Sequence, residues 1–284
     1  MKTILVPTDF SSNADNALAY AVALAQKGDF MILLLHAYHI MLGGPAVPGK
    51  AIDAEMKAAA KEAGKRLRGL AAEVVLTHNV KCDFIRLHGN AVDSILETIE
   101  KKKPALVIRG TKGANGIKRI LVGSNTAEVV EKATRPVIAV PEKAAFHGLK
   151  RIVYATDYRN SDITALKTVA EIAELFNSRL SVAHVCDGEY TESSEKGLLK
   201  NFEDKVRKKI LYPNMFFRLY NGKNVHDVLS KYADYKTTDM LVMSSHHRTL
   251  MDKLFNRSIT KKLTYHSRIP LMSFHYKDST VIMI

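Results

Sequence analysis

Three glycines and a serine at defined spacing form the group of residues best suited to chemistry. Gly110 is followed after two residues by Gly113, and after nine more by Gly123 and Ser124, which open a predicted helix. Glycine lets the backbone approach a phosphate closely and adopt left-handed turns. The amino-terminal end of a helix presents N–H groups and a positive dipole end to an anion, and a serine hydroxyl there could donate to a phosphate oxygen. The group therefore predicts a site for a phosphate-bearing ligand.

Alternating strands and helices would position this motif. Short apolar runs separated by amphipathic segments are typical of a parallel sheet covered by helices on both faces. In such sheets ligands bind at the carboxyl ends of the strands, and the motif directly follows the fourth predicted strand. The predicted strands are Thr3–Val6, Met31–His36, Lys81–Leu87, Ala105–Arg109 and Pro136–Val140. The first predicted helix runs to about Gln26, with Ser11 and Ser12 as its N-cap candidates. The other predicted helices are Ala54–Val75, Ala91–Lys101 and Thr126–Ala133.

The chain contains an internal repeat. Ile4–Phe10 is matched by Ile152–Tyr158, 148 residues later. A repeat of this length marks a duplicated domain rather than a solenoid unit. We therefore predict two tandem α/β domains, residues 1–145 and 146–284, each with an open, Rossmann-like sheet of five parallel strands. A linker is predicted at about residues 142–149.

The second copy lacks the motif glycines. Its fourth strand is followed by Ser245–Arg248, and Asn256–Ser258 replaces the later Gly-Ser pair. Side chains in this loop would occupy the space that phosphates need, and left-handed backbone is costly for them. We expect no phosphate ligand to bind there in the same manner, although Arg248 and Arg257 could still hold an anion.

The glycine spacing resembles the ATP-binding signature of the universal stress protein family. Pro7–Ser11 and Leu35–Ala37, at the ends of the first two predicted strands, are similar to other common segments of that family. The resemblance covers nearly the whole chain, once per copy. It implies an adenine nucleotide alpha hydrolase-like fold and a bound ATP whose phosphate charge is balanced by Mg²⁺.

The resemblance assigns the adenosine part of the nucleotide to the first two strand ends. Asp9, beside Pro7 and Thr8, would contact the adenosine, and the backbone around Ala37 would meet the edge of the adenine. One alternative stays open, because an aspartate in this position could also form a helix N-cap or an Asx-turn.

The resemblance assigns the phosphates to the glycine motif. Gly110 and Gly113 would pass under the ribose and the α-phosphate. The β- and γ-phosphates would be held by Gly123, Ser124 and Asn125. The alternative is that the glycines serve only a tight turn between a strand and a helix.

Composition and charge exclude several other classes of protein. The longest apolar stretch is far shorter than the roughly 18 residues of a membrane span, and no targeting signal is evident at the amino terminus, so we expect a cytoplasmic protein. Cys82 and Cys186 are isolated in the sequence and predict reduced thiols rather than a metal site. The net charge of +13 is spread over both halves, 20 basic against 14 acidic residues in 1–145 and 22 against 15 in 146–284. An even excess does not predict a nucleic-acid partner.

Three functions are compatible with the sequence. The first is an ATP-binding regulatory protein of the stress response with slow or no hydrolysis and an unknown protein partner. The second is a nucleotide-independent interaction scaffold, and the third is an ATPase or nucleotidyl transferase. The resemblance also implies that the last strands, Val137–Val140 and Leu271–Phe274, pair as an intramolecular pseudo-dimer, since exposed apolar edges tend to be covered. A homodimer of the whole chain is a further possibility.

Overall fold

The computed structural model describes residues 1–39, 49–111, 124–186, 191–222, 228–229, 237–245 and 269–276. The helices and strands in the first half are β1 (Lys2–Pro7), α1 (Ser12–Lys27), β2 (Phe30–Tyr38), α2 (Gly49–His78), β3 (Cys82–His88), α3 (Ala91–Lys102), β4 (Leu106–Gly110), α4 (Ser124–Lys132) and β5 (Val137–Val140). In the second half they are β6 (Arg151–Ala155), α5 (Asn160–Phe176), β7 (Arg179–Cys186), α6 (Glu192–Arg207), β8 (Met215–Asn221), β9 (Met240–Ser245) and β10 (Leu271–His275).

The ten strands of the described chain form one sheet in the order β3-β2-β1-β4-β5-β10-β9-β6-β7-β8. The first five strands and the last five therefore follow the same order, read inward from opposite edges. Neighbours within each five are parallel. The α/β class with five-stranded parallel units is thus confirmed.

The two sets of strands meet at β5 and β10. These strands are antiparallel, with Met272 opposite Ile138. All four residues of β5 are buried, because the pairing covers what would otherwise be an apolar edge. The predicted contact between the two last strands is observed within the single chain, and it turns two five-stranded sheets into one continuous sheet.

Helices cover both faces of this sheet. On one face, α1, α2, α5 and α6 bury apolar residues against the strands of both halves. On the other, α3 and α4 pack against β1, β2 and β4. Successive residues of β1 and β4 point to opposite faces of the sheet. Their apolar side chains are buried on both faces, as expected for strands covered by helices on both sides.

The predicted linker is packed rather than extended into solvent. Residues 141–150 contain no helix or strand, yet Ala144 and Leu149 are both 1% exposed. The Phe146 ring lies 4.9 Å from the Tyr20 ring and 6.0 Å from the Phe176 ring. Because Tyr20 belongs to α1 and Phe176 to α5, this segment joins the helices of the two halves.

Candidate functional site

Among the described residues, those predicted to bind the adenosine and the phosphates lie at the carboxyl ends of neighbouring strands. Pro7 ends β1, Ala37 is the last residue but one of β2, and Gly110 ends β4. β1 pairs with β2 on one side and with β4 on the other. The helices that follow β1 and β4 cover opposite faces of the sheet. The chain therefore diverges here to form the crevice in which open α/β sheets bind ligands.

The turn after β1 is held by its own polar groups. Phe10 has left-handed backbone with φ of 61°, which is uncommon for residues other than glycine. Its N–H donates to Thr8 Oγ1 at 3.0 Å. The N–H and the hydroxyl of Ser11 donate to Asp9 Oδ1 at 3.1 and 2.6 Å. Asp9 therefore forms the Asx-turn that the sequence left open, whatever further contact its carboxylate makes.

His36 fixes this turn to β2. Its Nδ1 lies 2.7 Å from the carbonyl oxygen of Thr8, so this nitrogen carries the proton and donates. The His36 ring packs 4.6 Å from the ring of Phe10. Thr8 in turn donates its N–H to the carbonyl of Leu35 at 2.8 Å. His36 therefore has a structural role, because it ties the turn after β1 to β2.

Gly110 is required by the close approach of α1. A Cβ at this position would lie 2.7 Å from Cγ of Asn13 and 2.8 Å from its backbone oxygen, nearer than real Cβ atoms come. Asn13 is 3% exposed, and its Nδ2 donates to the carbonyl of Val140 at 3.0 Å. A side chain at position 110 would push α1 off the sheet. Gly110 thus has a packing role in addition to any contact with a phosphate.

The first turn of α4 is tied to the end of β4. The Thr126 hydroxyl, in a residue 1% exposed, lies 3.1 Å from the carbonyl oxygen of Gly110 and 3.3 Å from that of Thr111. Arg109 donates from Nη1 to the carbonyl of Asn125 at 3.0 Å. These contacts hold the amino-terminal end of α4 at the crevice, where helix N–H groups attract anions.

Part of the predicted phosphate site lies outside the described residues. This applies to Gly113 and Gly123, and only the backbone of Ser124 is described. Arg248 and Arg257 of the second half are also outside. The contacts proposed for these residues stay predictions.

The second half repeats the contacts that the threonine, the aromatic residue and the histidine make in the first-half turn. Tyr158 has φ of 61°, and its N–H donates to Thr156 Oγ1 at 3.0 Å. His184 Nδ1 lies 2.7 Å from the carbonyl oxygen of Thr156, as His36 does in the first half. The sequence Thr-Asp-aromatic, together with a histidine near the end of the next strand, therefore gives the same backbone conformation in both copies.

What lies beneath the turn differs between the halves. In the second half Asp162 is 1% exposed and accepts hydrogen bonds at both carboxylate oxygens. The donors are the hydroxyls of Tyr154 at 2.9 Å, of Thr156 at 2.7 Å and of Ser244, and the N–H groups of Asp157 at 3.1 Å and Arg159 at 3.2 Å. Five donors satisfy the buried charge, so the Asp162 network (Tyr154, Thr156, Asp162 and Ser244) is a structural element.

The strand register gives the first-half counterparts of this network. Ile4 pairs with Leu106, and its repeat partner Ile152 pairs with Met240. Position 240 therefore matches 106, and the same offset of 134 residues matches Ser244 with Gly110. It also matches the first-half glycines at 113 and 123 with a histidine at 247 and an arginine at 257. By the offset of 148 residues, Tyr154 replaces Val6 and Asp162 replaces Ala14.

Sequence reasoning missed the Asp162 network and Arg109. The signal for the network was present in the repeat, because three small or apolar residues change together to tyrosine, aspartate and serine. Arg109 gave no comparable signal, since a single arginine at a strand end reads as a solvated charge.

The residues that the structure describes contain no cluster of three or more His, Cys, Asp or Glu side chains that could hold a metal ion. None of the described helices is both long and apolar enough to cross a membrane.

Comparison with known sequences places this site in a family. The sequence profile of the universal stress protein family matches residues 1–141. A universal stress protein of Methanocaldococcus jannaschii is 32% identical over 142 residues, which is 49% of this chain and 81% of the relative. A universal stress protein of Thermus aquaticus is 31% identical over 140 residues, 49% of this chain and 98% of the relative.

Comparison with solved structures extends over both halves. A universal stress protein from Archaeoglobus fulgidus aligns with a TM-score of 0.74 over 96% of this chain and 98% of its own, at 18% identity. An identity this low shows the shared fold alone. That fold includes both sets of five strands.

Proposed function

The chain belongs to the universal stress protein family, and we propose that it is an ATP-binding regulatory protein of the stress response. The first half holds one nucleotide, with Mg²⁺ bound through the phosphates, and hydrolysis is slow or absent. A protein partner would read the nucleotide state, and the expected location is the cytoplasm.

The observation that carries this proposal is the difference between the two crevices. In the first half β4 ends at a glycine whose missing Cβ leaves the backbone in contact with Asn13 of α1. In the second half the matching Ser244 binds the buried Asp162 carboxylate. Only the first crevice combines a glycine strand end with the full glycine spacing that the sequence predicts for a phosphate site.

Slow hydrolysis follows from the position of Asp9. Its carboxylate accepts two hydrogen bonds from Ser11, which hold it in the turn. A general base must instead lie within hydrogen-bond reach of the attacking water. We therefore expect nucleotide binding without steady multiple turnover.

Calorimetric titration tests the proposal. MgATP is titrated into nucleotide-stripped wild type and into Gly113→His/Gly123→Arg, which copies the second-half residues at the matched positions. Gly69→Ser is the control, because a side chain at Gly69 meets no atom within 4 Å. One saturable site per chain, present in the control and lost in the double variant, supports the proposal.

Failure of the wild type to bind MgATP would contradict it. The alternative is then a nucleotide-independent interaction scaffold, which the continuous sheet through β5 and β10 favours. In that function the pseudo-dimer itself would present the surface that a partner recognises.

A further inference from the structure

Three buried side-chain atoms among the described residues have no hydrogen-bond partner. They are Arg109 Nε, Tyr158 Oη and Glu195 Oε2. All lie near the carboxyl ends of the strands. Arg109 is the last residue but one of β4, Tyr158 follows β6, and Glu195 Oε2 lies 3.6 Å from His184 Nε2 near the end of β7. Arg109 is the cation of the group, and it is the one beside the glycine motif.

The surroundings of Arg109 leave its charge without a full counter-ion. Its described hydrogen bond goes to a neutral acceptor, the carbonyl of Asn125. Burial lowers the pKa of Arg109 to about 10, and the charge of Asp9 acts in the opposite direction. The guanidinium is still protonated near neutral pH, so the site keeps a shielded positive charge. Such a charge is costly unless an anion pairs with it.

The matched position of the second half supports a function for this charge. There the offset of 134 residues places Met243, which is 5% exposed in the apolar core. A thioether is thus tolerated at this place in the fold, so packing does not require a guanidinium. The cation occurs in the half that carries the glycine motif.

We propose that Arg109 is an anion-binding residue of the site, whose guanidinium contacts phosphate oxygens of the ligand and makes affinity depend on phosphate charge. The inference rests on the proposed function. Nη1 is engaged by Asn125, while Nε, with Nη2 beside it, forms an edge that suits side-on contact with a phosphate. Asp9 lies near enough to influence the guanidinium, so the same side chain links the predicted adenosine and phosphate ends of the crevice.

The experiment compares ATP and adenosine binding in three variants beside wild type. Arg109→Met, which copies the second half, should weaken ATP binding about 10- to 100-fold, the typical effect of losing a hydrogen bond to a charged group. Adenosine affinity should change less than about twofold, because adenosine carries no phosphate for the guanidinium to contact. Arg109→Lys keeps the charge without the planar fork and should give an intermediate loss. Arg135→Met, at the opposite edge of the sheet before β5, removes the same charge and should match wild type.

The outcomes separate this inference from the proposed function. If wild type binds no ATP, both are overturned. If wild type binds and Arg109→Met binds ATP equally well, the inference alone is overturned. If Arg109→Met loses ATP affinity and adenosine affinity equally, Arg109 has a structural role and the inference is overturned. If Arg135→Met loses as much ATP affinity as Arg109→Met, the effect comes from the net positive charge of the protein surface, and the inference is again overturned. Adenosine binding also reports whether Arg109→Met is folded, and if it is not, the ratio of ATP to adenosine affinity in Arg109→Lys decides.

Discussion

The carboxyl edges of the two halves share a scaffold and differ in chemistry. Both keep a threonine, a left-handed aromatic residue and a histidine that locks the turn. Beneath that turn the first half has Val6, Ala14 and Gly110, whereas the second has Tyr154, Asp162 and Ser244. The first half therefore presents the backbone of Gly110 and the guanidinium of Arg109 at the crevice. The second half has the buried Asp162 network at the same place. Under the proposed function, the second half therefore has a buried network at the place where the first half binds its ligand, and the fold is the same in both.

The largest effect is expected when the second-half network is broken. Asp162→Ala would leave several buried hydroxyl and N–H donors without an acceptor, each costing about 1–3 kcal/mol. We expect the free energy of unfolding to fall by about 3 kcal/mol or more, measured by urea denaturation. Asp93→Ala, which removes an exposed carboxylate in the first turn of α3, is the control. Equal midpoints for the two variants would contradict a structural role for the network.

A smaller effect is expected when the first half is given the second-half residue. Gly110→Ser places a Cβ against the side chain and backbone of Asn13, and overpacking of this kind costs about 1–3 kcal/mol. The shift of α1 should also weaken MgATP binding in calorimetry. Gly69→Ser should leave MgATP affinity unchanged and should not lower stability, because serine has the higher helix propensity and meets no atom there. Wild-type stability and affinity in Gly110→Ser would show that the close approach is not needed.

The pH dependence of stability should report on the Asp162 network of the second half. Burial, followed by the charge of Asp162, raises the pKa of Tyr154 above its ordinary value. The folded chain keeps this proton where the unfolded chain loses it, so the contribution is complete below about pH 10 and is lost as the pH rises further. In Tyr154→Phe the fall in unfolding free energy above pH 10 should be shallower by up to about 1.4 kcal/mol per pH unit. An unchanged slope would contradict this.

The smallest effect is expected far from either crevice. Lys2 and Glu171 pair at 3.0 Å between β1 and α5, but both side chains are more than half exposed. Exposed pairs contribute about 0–1 kcal/mol, so Glu171→Ala should change the urea midpoint little. A loss comparable to that of Asp162→Ala would mean that the halves depend on their surface ion pairs rather than on β5, β10 and the packed segment at 141–150.

Most of the strands were predictable because they are short apolar runs between amphipathic segments, a pattern typical of a sheet covered on both faces. The repeat correctly indicated the second set of strands, and the family resemblance implied the observed pairing of β5 with β10. Boundaries differ by one to a few residues, most at α2, where Gly49–His78 exceeds the predicted Ala54–Val75. Helix ends of this kind depend on caps and tertiary contacts rather than on periodicity.

The candidate site was predictable only where local sequence determines geometry. The Thr-Asp-aromatic turn and the glycine at the end of β4 are of that kind. The contact of Gly110 with Asn13 and the unpartnered Nε of Arg109 arise from residues that are distant along the chain, and the sequence carries no local trace of either. The repeat alone matches Tyr154 with Val6 and Asp162 with Ala14, but the strand register is needed to match Ser244 with Gly110 and bring the Asp162 network together.

The central claim, that nucleotide is held by the first half, is tested most directly by photolabelling. Nucleotide-stripped protein is irradiated with 8-azido-ATP and Mg²⁺, with and without excess ATP, and the labelled peptides are mapped by mass spectrometry. We predict label that ATP displaces and that lies within residues 1–145, near the ends of β1 and β2. Displaceable label within residues 146–284 would contradict the account.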